Sequence, residues 1–146
     1  MYKDPMNDLS YINGMLSVYA QFNCHSCDIG FDFQLKEIQN VNFPYARAGK
    51  VSLTRIDNWE DHLTVTLQTW LFAFMEEFNL DLKSLYFGCE ENRQYSAKHL
   101  VELMRECLQP ETVYQATGVD TGDFKYDSLV FESDDQNYLL YFGLSD

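Results

Sequence analysis

Cys24 and Cys27 form a C-x-x-C motif, and no other spacing in this sequence is more typical of a metal or redox site. Such a pair can hold half of a tetrahedral zinc site or run dithiol redox chemistry. Zinc requires two more ligands, usually as a second close pair, but Cys89 and Cys107 are far apart in the sequence. The motif also opens no helix of an evident βαβ unit, as a thioredoxin-like site would. We therefore interpret the four cysteines as ordinary reduced thiols and predict no metal site and no cofactor.

Histidines and carboxylates are the other residue types that could carry catalysis. The chain has three histidines, His25, His62 and His99. Each could serve as a general base, but no G-x-S-x-G or other nucleophile motif accompanies them. The aspartates near residues 120 and 134 follow a pattern more typical of turns than of a metal cage, because the chain has no D-x-D-x-D-G loop. The sequence predicts no catalytic residue.

The charge of the chain is strongly one-sided. Twenty-three acidic residues stand against ten basic ones, which gives a formal net charge of −13. Such a field repels nucleic acid and anionic lipid and attracts basic partners, although solubility alone is an alternative explanation. Residues 57–81 hold six acids and no Lys or Arg, and residues 111–146 hold eight acids and one base, Lys125. The second segment is the stronger indication of a partner, because its acids alternate with Tyr and Phe.

Length and composition predict one folded domain, residues 1–146, with its own core. Apolar residues make up 46% of the chain and aromatic residues 16%, which argues against disorder. The first residues lack the basic and apolar pattern of a signal peptide, so we expect a cytoplasmic protein. The apolar run at residues 70–75 is too short to cross a membrane and ends at Glu76 and Glu77.

The most apolar stretch, residues 57–80, predicts a helix around which the other elements pack. Asp57 is the expected cap, and Glu60 suits the positive end of the helix dipole. The apolar stripe consists of Leu63, Leu67, Trp70, Leu71, Phe74, Met75 and Phe78. Val65, Phe72 and Ala73 lie off the stripe, which indicates cover on more than one side. A strand is the alternative, because residues 63–71 also alternate and include a β-branched run.

The remaining pattern predicts an α+β domain, in which an antiparallel sheet with a C-terminal hairpin packs against two or three helices. Residues 5–23 are loosely helical, with a strand at 17–22 as the alternative, and 23–28 is an expected loop. A second helix is expected from Ser96 to the stop at Pro110, after a polar connection at 90–95. Strands are predicted at residues 29–38, 50–56 and 112–117, and the hairpin at 126–132 and 138–144. Loops or turns are expected at residues 40–49 and 118–123, and the apolar residues 82–89 are expected to form a strand or a segment that links two helices.

The two strands of the hairpin are too aromatic for every ring to face inward. In one interpretation the core face takes Leu129, Phe131, Leu139 and Tyr141. The outward face would then present Tyr126, Val130, Glu132, Tyr138, Leu140 and Phe142. Exposed rings beside carboxylates suit a protein partner, whereas a helix covering that face is the alternative. The predicted partner-binding residues are Asp120, Asp123, Tyr126, Asp127, Glu132, Asp134, Asp135 and Tyr138.

In size, charge, aromatic content, α+β pattern and lack of a catalytic motif, the chain resembles the small cytoplasmic immunity proteins that neutralise secreted bacterial toxins, such as contact-dependent growth-inhibition effectors. The resemblance implies a stoichiometric inhibitor and not an enzyme. Its partner would be a basic toxin domain, often a nuclease, with no direct binding to nucleic acid or membrane. The alternatives are an acidic phage-type mimic of nucleic acid that blocks a defence enzyme, and an enzyme of unknown type.

Overall fold

A computed structural model describes residues 5–26, 30–38, 51–72, 89–118, 123, 125–134 and 136–145 and, within the first helix, the side chains of residues 8–23. In chain order the elements are α1 (Pro5–Ser26), β1 (Gly30–Ile38), β2 (Ser52–Arg55), α2 (Trp59–Leu71), α3 (Glu90–Leu108), β3 (Thr112–Thr117), β4 (Lys125–Glu132) and β5 (Asn137–Ser145). None of the helices in these ranges is long and apolar enough to cross a membrane.

The described strands form one antiparallel sheet in the order β1-β5-β4-β3-β2. The C-terminal hairpin of β4 and β5 lies in its middle, with β1 on one side and β3 on the other. Helix α1 packs against β1, and α2 and α3 pack against each other and against α1. This arrangement confirms the predicted single α+β domain with its antiparallel sheet and C-terminal hairpin.

The two faces of the sheet carry separate apolar clusters, and the predicted facing of the hairpin is wrong. The cluster on the helix side includes Phe33, Leu35, Leu129, Phe131, Leu140 and Phe142, and the smaller one opposite includes Ile38, Ala116, Val130 and Leu139. Leu129 lies opposite Leu140, so these two, and not Leu129 and Leu139, share a face. The reason is the turn: four residues, 133–136, separate Glu132 from its partner Asn137, and this length fixes the register.

Helix α2 confirms the helical interpretation over the strand alternative for residues 59–71. Leu63, Leu67, Trp70 and Leu71 are all buried, as the predicted stripe requires. The Trp70 indole stacks on Phe142, with ring centroids 5.7 Å apart and planes inclined by 13°. Its edge meets Phe33 at 6.1 Å. The predicted continuation through residues 73–80 lies outside the described residues.

Two details of α2 differ from the prediction. Asn58, and not Asp57, occupies the cap position, and it makes no side-chain cap bond; its amide donates to Asp61 Oδ2 at 2.7 Å. The Asp57 carboxylate instead lies 3.7 Å from Arg55. Val65 is 65% exposed, so the helix is open on that side, whereas Phe72 is buried as expected.

Helix α1 is longer than the sequence pattern indicated. It runs to Ser26, so the strand alternative for residues 17–22 and the loop expected from Asn23 are both wrong over this range. Asn23 is fully buried, and its amide donates to the carbonyl oxygen of Trp70 at 3.0 Å. A buried amide is stable only with such a partner. The contact with α2 therefore explains why a polar residue continues the helix.

Helix α3 begins earlier than predicted. It starts at Glu90 and not at Ser96, with Cys89 at the cap position, so the polar residues 90–95 are helical. Glu90 and Glu91 stand in the first turn, where carboxylates favour the positive end of the helix dipole. The predicted end is confirmed: the helix stops at Leu108, and Gln109 follows in the left-handed conformation with φ 44°.

Asn13 of α1 joins the helix to the edge of the sheet. Its side-chain oxygen accepts the backbone N–H of Leu35 at 2.8 Å, and its amide nitrogen donates to the Leu35 carbonyl at 2.7 Å. Both backbone groups of Leu35 therefore face α1 and not β5. In geometry the Asn13 amide takes the place of one residue of a neighbouring strand, because it offers one donor and one acceptor side by side.

Candidate functional site

The strand pairing gathers acidic residues at one end of the sheet, where β4 turns into β5. Thr112 lies opposite Glu132, and the N–H of Glu111 donates to the carbonyl of Glu132 at 2.8 Å. The Ser133 hydroxyl donates to the carbonyl of Leu108 at 2.6 Å, which ties the turn to the last turn of α3. We call Glu111, Glu132 and Asp134 the hairpin-end cluster. These contacts place the backbone of the three residues side by side.

The carboxylates of the hairpin-end cluster repel one another. The side chains of Glu111 and Asp134 are within hydrogen-bonding reach, and this contact raises the pKa of Glu111 above its ordinary value of 4.5. The charges of Asp134 and Glu132 raise it further. Glu111 and Asp134 are exposed, so a cation from another molecule can reach them. These carboxylates therefore form a negatively charged surface at this end of the sheet.

Replacing Glu111 by glutamine is expected to raise the free energy of unfolding above that of the parent protein, and to do so more at neutral pH than in acid. A raised pKa in the folded state means that the carboxyl group favours folding below its unfolded pKa, and that this contribution is lost as pH rises through the folded pKa. The variant has no such group, so its difference from the parent should grow as pH rises above 4.5. Urea unfolding across this pH range measures the difference. Asp134→Asn should act in the same way, because it also removes one of the two neighbouring charges. Glu91→Gln, at an exposed carboxylate of α3, is the control. Equal effects of all three substitutions would contradict the repulsion between Glu111 and Asp134.

Two of the predicted partner-binding aspartates are engaged inside the fold. Asp127 Oδ2 accepts the indole N–H of Trp70 at 2.6 Å. The Lys125 ammonium lies 5.5 Å from the centre of the same Trp70 ring. Asp123 accepts the hydroxyl of Tyr141. These two carboxylates hold elements of the fold together, so we do not count them in the hairpin-end cluster.

The rings of the hairpin do not form the outward surface that the sequence suggested. Tyr138 lies on the helix side and is only 8% exposed, and its hydroxyl donates to Gln136 Oε1 at 2.6 Å. Burial raises the pKa of Tyr138, with smaller contributions from the charges of Glu37 and Cys107. Tyr126 lies on the opposite face, half-buried, and its ring stacks on the buried Tyr141 at 6.5 Å. Tyr138 therefore offers no exposed ring to a partner.

Of the eight predicted residues, the structure brings Glu132 and Asp134 together. Asp120 and Asp135 lie outside the described residues. Glu111 was absent from the predicted set, since it precedes β3 and not the hairpin. Its place beside Asp134 follows from the pairing of β3 with β4, which a pattern of local charges does not reveal.

The residues considered for catalysis or metal binding are dispersed. The His62 ring nitrogen Nε2 lies 3.1 Å from Gln115 Oε1, and the His99 ring stacks on Tyr95 at 6.4 Å. Cys89 is exposed and Cys107 half-buried, both on or next to α3. Within the described ranges, no three His, Cys, Asp or Glu side chains form a group that could hold a metal ion. The side chains of the C-x-x-C motif lie outside those ranges.

Comparison with protein-family models, with curated proteins and with solved structures found no match to this chain.

Proposed function

We propose that this protein acts by stoichiometric binding and that its hairpin-end cluster docks onto a cationic surface of another protein. The observation that carries the proposal is the position of Glu111 against Asp134. Two segments distant in the sequence place like charges in contact on an exposed end of the sheet. Neighbouring like charges repel each other, and a Lys or Arg from a partner would replace this repulsion with attraction.

The charge of the whole molecule supports the same proposal. A net charge of −13 creates a long-range field that draws a basic protein toward the chain from solution. Such steering acts mainly on the rate of association and weakens as salt is added. The hairpin-end cluster would then supply the short-range contacts.

We further propose that the partner is a basic toxin domain and that this chain is its immunity protein. The support is the resemblance in size, charge, aromatic content and α+β pattern described above. A toxin that cleaves nucleic acid needs a basic cleft, and an acidic protein that occupies the cleft competes with the substrate. On this proposal the chain has no catalytic activity of its own.

The test begins by capturing the partner with a tagged chain and identifying it. The captured protein should carry a basic surface, arrest growth when it is produced alone, and lose that effect when this chain is produced with it. A captured DNA-binding enzyme that arrests nothing, and from which DNA displaces the chain, would contradict the proposal and favour a nucleic-acid mimic. Failure of the chain to restore growth would also contradict it.

Charge reversal tests the site itself. The double variant Glu111→Lys and Asp134→Lys is expected to slow association with the captured partner by about tenfold or more at low salt, because it inverts the local field. The matched control is Glu91→Lys with Glu102→Lys, which makes the same change in net charge on exposed positions of α3. Stopped-flow mixing at several salt concentrations measures the rate. Equal slowing by both double variants would exclude the hairpin-end cluster as the contact.

A further inference from the structure

Strand β2 forms one edge of the sheet. It pairs with β3 on one side, and no strand of the described residues lies on its other side. Ser52, Thr54 and Arg55 are exposed, and Leu53 among them is half-buried. An edge of this kind presents backbone N–H and C=O groups with which another strand can pair.

The register shows which backbone groups of β2 point to its unpaired side. The N–H of Ile56 donates to the Val113 carbonyl at 2.9 Å, so the backbone groups of Ile56 face β3. In an antiparallel pair such residues alternate along the strand. Thr54 therefore also faces β3, whereas the N–H and C=O groups of Leu53 and Arg55 point away from it. We call these four groups the outward groups of β2.

The opposite edge of the sheet is closed by α1. There the Asn13 side chain bonds to both backbone groups of Leu35. Within the described ranges, no side chain bonds in this way to the outward groups of Leu53 and Arg55. One edge is thus protected, whereas β2 keeps its outward groups for another strand.

The side chains of β2 add an apolar border to this edge. Leu53 packs against the smaller apolar cluster of the sheet together with Val51 and Tyr114, and each of the three is only partly buried. A strand beside β2 would place alternate side chains on this same face. An apolar side chain there would cover the part of Leu53 that still faces solvent. The border therefore favours a segment with an apolar, β-branched residue at every second position.

The C-terminal end of β2 lies at the acidic end of the sheet. β3 begins at Thr112, which lies opposite Glu132 of the hairpin-end cluster. Arg55 lies opposite Tyr114, two residues further along β3. Asp57 follows with its side chain 96% exposed, 3.7 Å from Arg55, and such an exposed ion pair contributes little. A strand added to β2 would lie about 10 Å from β3, so one partner can reach both β2 and the hairpin-end cluster.

We propose that β2 pairs with an extended segment of the basic partner, which adds to the sheet as a further strand antiparallel to β2. The backbone of this segment would bond to the outward groups of Leu53 and Arg55. An apolar side chain would lie beside Leu53, and a Lys or Arg at the N-terminal end of the segment would meet Asp57. The inference rests on the proposed function in taking the partner to be basic, and it names the kind of segment that the partner contributes.

Charge and area favour this occupant over a second copy of the chain. A copy carries the same net charge of −13, so the two molecules repel each other. Two paired β2 strands would join only four residues from each chain. Such a contact is much smaller than the roughly 800 Å² per partner of a stable interface. A basic partner adds contacts at the hairpin-end cluster, which a second acidic chain does not supply.

The test uses a labelled seven-residue peptide in which two lysines precede alternating valine and threonine. Fluorescence polarisation measures its Kd at low salt. Arg55→Pro should weaken binding about fivefold to tenfold relative to Arg55→Ala, which is the effect of losing one backbone hydrogen bond. Both substitutions remove the guanidinium, but only proline removes the outward N–H. Proline is tolerated here because this N–H does not bond to β3, and circular dichroism checks that both variants are folded.

Methylated peptides test the same pairing on the unaltered protein. In the proposed register the valines lie on the Leu53 face and direct their N–H groups to β2, whereas the threonine N–H groups point away. N-methylation of the valines should raise the Kd more than about tenfold, because it removes several of these bonds at once. N-methylation of the threonines is the matched control and should leave the Kd within about twofold.

The carboxylate is tested separately from the backbone. Asp57→Asn should reduce the preference of the protein for this peptide over the same peptide with two glutamates in place of the lysines. Glu102→Gln makes the same change in net charge at an exposed position of α3 and should leave that preference unchanged.

Several outcomes would overturn the inference. They are equal binding by Arg55→Pro and Arg55→Ala, equal effects of methylation at valine and threonine, and a parent Kd above about 1 mM, which corresponds to a negligible contact. Self-association of the chain that Arg55→Pro abolishes would make a second copy the occupant. With the captured partner, slower association of the hairpin-end variants beside equal binding by the two Arg55 variants would refute this inference and leave the proposed function standing.

Discussion

Replacing Trp70 by alanine is expected to lower the free energy of unfolding by about 3–5 kcal/mol, the range of large aromatic truncations in a core. Trp70 is 2% exposed and lies where α2 meets the sheet. It contacts Phe33 and Phe142, and its indole N–H donates to Asp127. The substitution removes the ring contacts and leaves a half-buried carboxylate without that donor. Urea unfolding followed by circular dichroism measures the loss.

A second substitution separates the ring from the hydrogen bond. Trp70→Phe keeps an aromatic ring but removes the N–H, and it should cost less, about 1–3 kcal/mol. Adding Asp127→Asn should recover part of this loss, because the half-buried carboxylate that lost its donor is then replaced by a neutral amide. Val65→Ala on the same helix is the control: at 65% exposure it should change stability by no more than about 0.5 kcal/mol. A similar loss in both single variants of Trp70 would show that the hydrogen bond, and not the volume of the ring, dominates.

Replacing Gly143 by alanine is expected to destabilise the protein by about 1–3 kcal/mol through overpacking. A Cβ at this position would lie 2.8 Å from Cε1 of Tyr141 and would also meet the Tyr141 hydroxyl and the Asp123 carboxylate. The Tyr141 ring lies along β5 over Gly143, which lets its hydroxyl reach Asp123. An alanine forces this ring to move and breaks that contact. Thermal and urea unfolding of the variant measure the effect.

Gly14 provides a control of opposite sign for Gly143. It lies within α1 and is exposed, and apart from its own helix backbone no atom of the described residues lies within 4 Å of the position of a Cβ. Gly14→Ala should therefore stabilise the protein by roughly 0.5–1 kcal/mol, the difference in helix propensity. Equal and small effects at both positions would contradict the account of Gly143.

The elements of the fold could largely be predicted from residue periodicity. Alternation identified β1 and the hairpin strands, and spacing by three and four residues identified α2 and most of α3. Two helix ends could not be found in this way. Asn23 continues α1 because the Trp70 carbonyl accepts its amide, and Glu90 begins α3 in a segment whose polarity indicated a loop. A contact between residues distant in the sequence stabilises the end of α1, and the helix dipole favours the start of α3 at Glu90.

The candidate site was harder to predict than the fold. Charge counts alone do not separate a carboxylate that faces solvent from one that holds the fold together. Asp127 bonds to Trp70, which is 57 residues away, and Asp123 bonds to Tyr141, 18 residues away. Neither contact leaves a local sequence signal. Glu111 was missed for the same reason, because only strand pairing places it beside Asp134.

The double hydrogen bond between Asn13 and Leu35 has a consequence for misassembly. An edge strand with open N–H and C=O groups is a template on which another chain can add a strand and start an aggregate. The Asn13 amide occupies that position at Leu35, in the middle of β1. Any opening of α1 that withdraws this side chain presents a bare backbone pair to neighbouring molecules. We therefore expect the Asn13 amide to protect this edge of β1 against the addition of a strand from another molecule.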